Sequence, residues 1–89
     1  MKKRVSTLSQ HENFGVTSER WLNAIGVYSI EDLRKCGSVH AYRLLKDQGL
    51  NVSTNMLYAM EGALLGIRWD KLPVDIKFEL REAVKTKGT

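Results

Sequence analysis

The 89 residues suffice for one domain and are too few for two. Hydrophobic content of 43% and charged content of 27% suit a globular domain, and no apolar run reaches the ~20 residues that a membrane-spanning helix needs. The net charge of +4 is concentrated at the ends: Lys2, Lys3, Arg4, Lys85 and Lys87 are five of the fourteen basic residues, which leaves residues 5–84 with nine basic against ten acidic side chains. Basic ends on a near-neutral body fit either solubilising tails or contact with an acidic partner. No apolar stretch follows Lys2-Lys3-Arg4, which excludes a secretory signal. The single cysteine, Cys36, excludes an intrachain disulfide and fits a reducing cytoplasm.

Residues 1–10 read as a basic N-terminal tail or a short leading helix carrying Val5 and Leu8. The spacing then predicts five helices. The first spans about residues 17–25, with Trp21, Leu22 and Ile25 on its apolar side and Gly26 as a left-handed terminator. The second spans about 30–35, with Ser29 as cap and Asp32 three residues on as its reciprocal partner. The third spans about 38–48, capped by Ser38 and ended by Gly49.

The fourth helix is capped by Ser53 and carries Met56, Met60, Leu64 and Ile67 beside Leu57 and Ala63. Gly62 lies inside it at a cost of about 1 kcal/mol against Ala, which marks close approach of another helix. The fifth starts with Pro73 at its first position and carries Ile76, Leu80, Ala83 and Val84. Lys85 and Lys87 near its end suit the helix dipole. No strand alternation persists. The expectation is an all-α, single domain of five to six helices over residues 11–84, with 85–89 as a basic C-terminal tail.

The stretch Asn13-Phe14-Gly15-Val16-Thr17-Ser18-Glu19-Arg20-Trp21-Leu22, closed by Gly26-Val27, has the skeleton of a helix-hairpin-helix unit. A helix start exposes unpaired N–H groups and carries positive partial charge. A tight glycine turn brings such amides to a phosphate with no side chain in the way. The candidate phosphate contacts are the amides of Gly15, Val16, Thr17 and Ser18, the hydroxyls of Thr17 and Ser18, and the Arg20 guanidinium. Such contacts read no bases, so binding is expected to be sequence-independent and salt-sensitive. Against this stand Asn13 in place of the usual first glycine, Thr17 in place of the usual lysine, and Glu12 and Glu19 flanking the turn. The alternative is a turn that only packs helices, with Phe14 plugged into the core. A fainter echo of the unit lies 22 residues on, pairing Gly15 with Gly37 and Leu22 with Leu44.

Other chemistry is poorly represented. Cys36 and His40 offer two ligands where a structural zinc needs four, so no metal is expected. No nucleophile, base and orienting group combine into a catalytic set, so neither an enzyme nor a cofactor is expected. Trp21, Trp69, Tyr28, Tyr42 and Tyr58 are candidates for stacking on bases, or are core.

Two blocks carry a family resemblance. Phe14-Gly15, Ser18, Trp21 to Val27 and Ser29 to Leu33 form the first, and Asn55 to Ile67 with Trp69 and Leu72-Pro73 the second. In order and spacing they resemble the C-terminal domain of TfoX/Sxy proteins. The resemblance implies a compact helical domain related to helix-hairpin-helix modules. It also implies regulation of bacterial competence (DNA transformation) genes, with a transcription factor of the cyclic-AMP receptor protein type as partner. TfoX proteins usually begin with a separate α/β domain, so the chain is either an excised domain or a stand-alone relative. The Leu-Pro and Pro-Lys that often flank the family's turn are replaced here by His11-Glu12 and Val16-Thr17.

Two functions follow as expectations. One is a cytoplasmic regulator that holds duplex DNA through residues 15–18, Arg20 and the basic ends. The other is a module that docks on a transcription factor or polymerase without touching DNA.

Overall fold

The structure, a computed structural model, describes residues 5–85. Five α-helices, and no strand among the described residues, build one globule. They are α1 (Val16–Ala24), α2 (Ile30–Cys36), α3 (Ser38–Asp47), α4 (Thr54–Leu65) and α5 (Val74–Lys85). Two single 3-10 turns, Leu8–Gln10 and Trp69–Lys71, precede α1 and α5. The first of these stands where a leading helix was one of the two expectations. It is tied down by Thr7 N–H donating to Tyr28 O at 2.9 Å, and by Leu8, which is fully buried.

Three helices close in the same way, because each is followed by glycine and then an aliphatic residue. Gly26, Gly49 and Gly66 adopt φ of 84°, 82° and 74°. This lets Val27, Leu50 and Ile67 donate back to the carbonyls of Leu22, Leu45 and Gly62 at 2.9, 3.2 and 2.9 Å. The glycines themselves donate to Asn23, Lys46 and Ala63, so orphan carbonyls are satisfied at each helix end. The echo within the chain becomes clear here. It is offset by 22 residues at the helix starts, Gly15 and Gly37, and by 23 at the ends, where Leu22 aligns with Leu45 rather than Leu44. The reason is that α3 has ten residues and α1 nine. Leu22 and Leu45 are both fully buried.

Several helix starts differ from expectation. Ser29 caps α2 as expected, accepting from Asp32 N–H at 3.1 Å, while the Asp32 carboxylate accepts from Tyr28 N–H at 3.0 Å. Ser38 does not cap α3. Gly37 holds the cap position, and Ser38, at 4% exposure, donates its hydroxyl to Glu61 Oε1 of α4 at 2.6 Å. Burial explains the change, since a hydroxyl removed from water must find a partner and the nearest one lies across the interface. Ser53 precedes α4 without a side-chain capping bond. Pro73 lies one residue before α5, its carbonyl accepting from Lys77 N–H at 3.0 Å.

Helix α4 is central and packs against α2, α3 and α5. It is less one-sided than its spacing predicts: Met56, Leu57, Tyr58, Ala59, Met60, Gly62 and Ala63 are all buried, while Leu64 is half-buried and Ile67 lies past the end of the helix. A helix covered on several sides needs apolar residues most of the way round. Each large apolar side chain so buried is worth about 1.5–3 kcal/mol in transfer free energy. With α4 pack Leu8, Phe14, Leu22, Val27, Leu33, Leu45, Val52, Leu72 and Leu80. Helix α5 is held at its end by Arg43 of α3, whose Nη2 donates to Ala83 O at 2.6 Å, a cation at a helix C-terminus.

Gly62 does mark a close approach, but the neighbour is not a helix. A Cβ there would lie 2.9 Å from Asn13 Nδ2, 3.0 Å from Ile67 O and 3.3 Å from Trp69 Cα. The chain before α1 and the chain after α4 meet over this missing side chain.

Candidate nucleic-acid interface

Asn13 organises the junction. Its Nδ2 donates to Ala59 O at 3.2 Å and to Ile67 O at 3.0 Å, and its Oδ1 accepts from Trp69 N–H at 3.0 Å. Its own N–H donates to His11 Nδ1 at 3.0 Å. The residue that departs from the usual glycine of a DNA-binding hairpin is therefore a clamp between the start of α1 and the turn after α4. Phe14 next to it is buried at 5% exposure, its ring centroid 5.8 Å from that of His11.

Gly15 is not in a turn that demands glycine. Its backbone is extended, with φ −104° and ψ −170°, and a Cβ there would meet nothing within 4 Å. The tight glycine turn expected from the sequence is absent, because the Asn13 bonds and the buried Phe14 ring already fix the approach of the chain. Glycine at the cap position has a different effect: it leaves α1 without a side-chain capping bond. Among the described residues, no backbone acceptor takes the N–H groups of Val16, Thr17 or Ser18. The start of α1 is an uncapped, unshielded set of donors.

Two of these residues, Thr17 and Ser18, border a groove of about 310 Å3 lined also by Asn13, Trp21, Ser53, Asn55, Met56, Ala59 and Trp69. Helix α4 also begins here, through Ser53 and Asn55, again without a side-chain cap. Two positive helix ends thus face one depression, and no acidic side chain lines it.

The candidate residues are only partly gathered. Thr17 and Ser18 line the groove, whereas Gly15, Val16 and Arg20 do not. Arg20 follows Ser18 by two positions, about 200° round the helix, and its exposed side chain leaves the groove without a cation from α1. Glu19, expected to repel phosphate, is turned away. Its carboxylate accepts from the Ser6 hydroxyl and from Ser9 N–H at 3.3 Å. The Ser6 hydrogen bond is the largest cause that holds its pKa below the ordinary value. Glu12 is exposed.

The other candidates separate clearly. Tyr42 and Tyr58 are core, at 7% exposure each, with Lys46 and Lys77 ammonium groups over their rings at 5.5 and 5.4 Å. Trp21 and Trp69 both line the groove. Cys36 is half-buried at the end of α2, and burial pushes its thiol pKa up, away from reactivity. Among the described residues, no group of three His, Cys, Asp or Glu could hold a metal ion, and no helix is long and apolar enough to cross a membrane.

Three features of this site lie beyond sequence reasoning: the Asn13 clamp, the participation of the α4 start, and the placing of Trp21 and Trp69 in the lining of one groove. Gly62 was the only signal pointing to any of them. No curated protein and no solved structure matches the chain. A family model does match nearly all of it, across both blocks that meet at the Asn13 clamp: with residues 3–84 matched, the chain belongs to the family of the TfoX C-terminal domain.

Proposed function

We propose that this protein is a non-enzymatic regulatory domain of the TfoX type, acting on competence genes, that touches the DNA backbone through the start of α1. The carrying observation is the uncapped N–H set of Val16, Thr17 and Ser18, with the Thr17 and Ser18 side chains in the groove lining and the Glu19 carboxylate engaged by Ser6 and Ser9. Such a site accepts phosphate oxygen without reading sequence. The near-neutral body makes it a weak contact, of micromolar or weaker affinity that falls steeply with salt. A weak backbone contact suits a domain that works beside a transcription factor of the cyclic-AMP receptor protein type rather than one that selects a site alone.

The test is fluorescence anisotropy of a labelled duplex at low and physiological salt, with the wild type beside Gly15→Asp and Arg20→Ala. Gly15→Asp places a carboxylate where it caps the α1 amides, so it should stabilise the helix while removing phosphate binding. Unchanged binding by Gly15→Asp would overturn the proposal and assign any affinity to the basic ends.

A second reading has its own observation. Val74 and Phe78, one turn apart on α5, are 79% and 55% exposed. Adjacent exposed apolar side chains on a helix face suit a protein partner. Salt-tolerant capture of a transcription factor that is lost in Phe78→Ser would favour this reading over DNA contact.

A further inference from the structure

Trp69 is the residue that the fold and the phosphate contact leave unexplained. A tryptophan with 37% of its surface exposed on a three-residue turn forgoes much of the burial that usually holds such a side chain in place. It nonetheless stands in a defined position. Its N–H is held by Asn13 Oδ1 at 3.0 Å, and the preceding chain is held by Asn13 Nδ2 on Ile67 O. Trp21 of α1 lines the same groove, and buried Met56 and Ala59 supply its apolar base. The polar groups at the rim are Thr17, Ser18, Ser53 and Asn55, while the Asn13 side chain is already committed to three hydrogen bonds.

We propose that this groove takes one unpaired nucleotide of single-stranded DNA, its base against the Trp21 and Trp69 indoles and its phosphate toward the helix starts. The inference rests on the phosphate contact proposed above and adds the base. Three observations select this occupant. The groove, at about 310 Å3, falls at the small end of ligand sites and has room for a flat ring system. Its lining holds two indoles, the side chains on which bases of any identity stack. The lining has no carboxylate and is bordered by two uncapped helix starts, which complements an anion. With Asn13 saturated, few groups remain to discriminate one base from another, so binding tolerates sequence. The Asn13 clamp fixes the Trp69 wall before binding, which lowers the ordering cost.

The experiment compares a twelve-nucleotide thymidine single strand with a duplex of equal length, using the full chain at low salt. Binding is read by anisotropy of the labelled DNA and by quenching of tryptophan fluorescence. The single strand should bind about 5- to 100-fold more tightly than the duplex and quench the fluorescence. Trp69→Ala should lose that advantage and leave duplex affinity in place. Asn55→Glu, an exposed change at the groove rim that puts a carboxylate in the first turn of α4, serves as the second variant and should weaken single-strand binding with the fold intact. Equal affinity for both DNAs, unmoved by Trp69→Ala and Asn55→Glu, overturns this inference and leaves the backbone contact standing. Absence of binding to either DNA overturns the backbone contact, and this inference with it.

Discussion

Gly15 follows Asn13 closely in the chain and Gly62 meets it in space, and the two glycines answer to different demands. At Gly15 the backbone is extended and a Cβ would meet open space. At Gly62 a Cβ would lie 2.9 Å from the Asn13 amide nitrogen and 3.0 Å from a backbone carbonyl. The glycine in the motif that suggests function tolerates a side chain; the glycine inside a helix, which propensity argues against, does not. A glycine in a turn advertises conformation that other residues have often already fixed. A glycine in a helix interior costs about 1 kcal/mol and so reports a contact that offsets it.

The largest expected effect tests the clamp itself. Asn13→Ala removes the partners of the Ile67 carbonyl and the Trp69 N–H, while the Ala59 carbonyl keeps its helical bond within α4, and should cost about 2 kcal/mol in urea unfolding. A loss below about 0.5 kcal/mol would mean that water replaces the amide and that the junction is not held by Asn13.

Gly62→Ala should come next. Helix propensity alone predicts a gain of about 1 kcal/mol, whereas overpacking against the junction predicts a loss of about 1–3 kcal/mol. The net should be a destabilisation near 1 kcal/mol, and the sign alone decides. An increase in the urea midpoint would show that the Asn13 side chain yields.

Gly15 should be the permissive partner of the pair. Gly15→Ala is expected to change stability by no more than about 1 kcal/mol, and Gly15→Ser to raise it by a few tenths through a new cap. A large loss in either would mean that the turn needs glycine after all, which would erase the contrast with Gly62.

The smallest effect sharpens the electrostatic side of the site. Glu19 has its pKa held below the ordinary value chiefly by the Ser6 hydroxyl. A carboxylate with a depressed folded pKa contributes stability that is present above its unfolded pKa and is lost as pH falls through the folded value. Glu19→Gln should therefore lower stability slightly at neutral pH and flatten the acid limb of a thermal-stability profile, the two proteins converging below the ordinary glutamate range. Glu19 is only half-buried, and solvent screening should keep the effect slight. An unaltered acid limb would show that the Ser6 contact does not persist in solution.

Much of the fold was legible because its signals are local. The Gly26-Val27 and Gly49-Leu50 steps ended α1 and α3 where the chain placed them, since a left-handed glycine there completes that hydrogen-bond pattern, whereas Gly66 ended α4 before Ile67, which the apolar spacing puts on the helix. Ser29 and Asp32 capped α2 for the same reason: both partners lie within one turn. Ser38 and Ser53 were misleading because a capping side chain competes with alternatives that the sequence does not display. Ser38 is buried against Glu61, and Ser53 is exposed at a groove.

The amino-acid sequence by itself determined the five helices, the ends of α1 and α3, the family and a glycine at the start of α1, all but the family set by residues within a few positions of one another. Tertiary structure decided what that start faces. It turned Glu19 away, kept Arg20 off the groove, put Trp69 and Trp21 in the lining of one groove and made Asn13 a clamp rather than a substitute glycine. Those outcomes depend on side chains from opposite ends of the chain meeting over Gly62. Local propensity carries no term for such a meeting, and only the packed core fixes it.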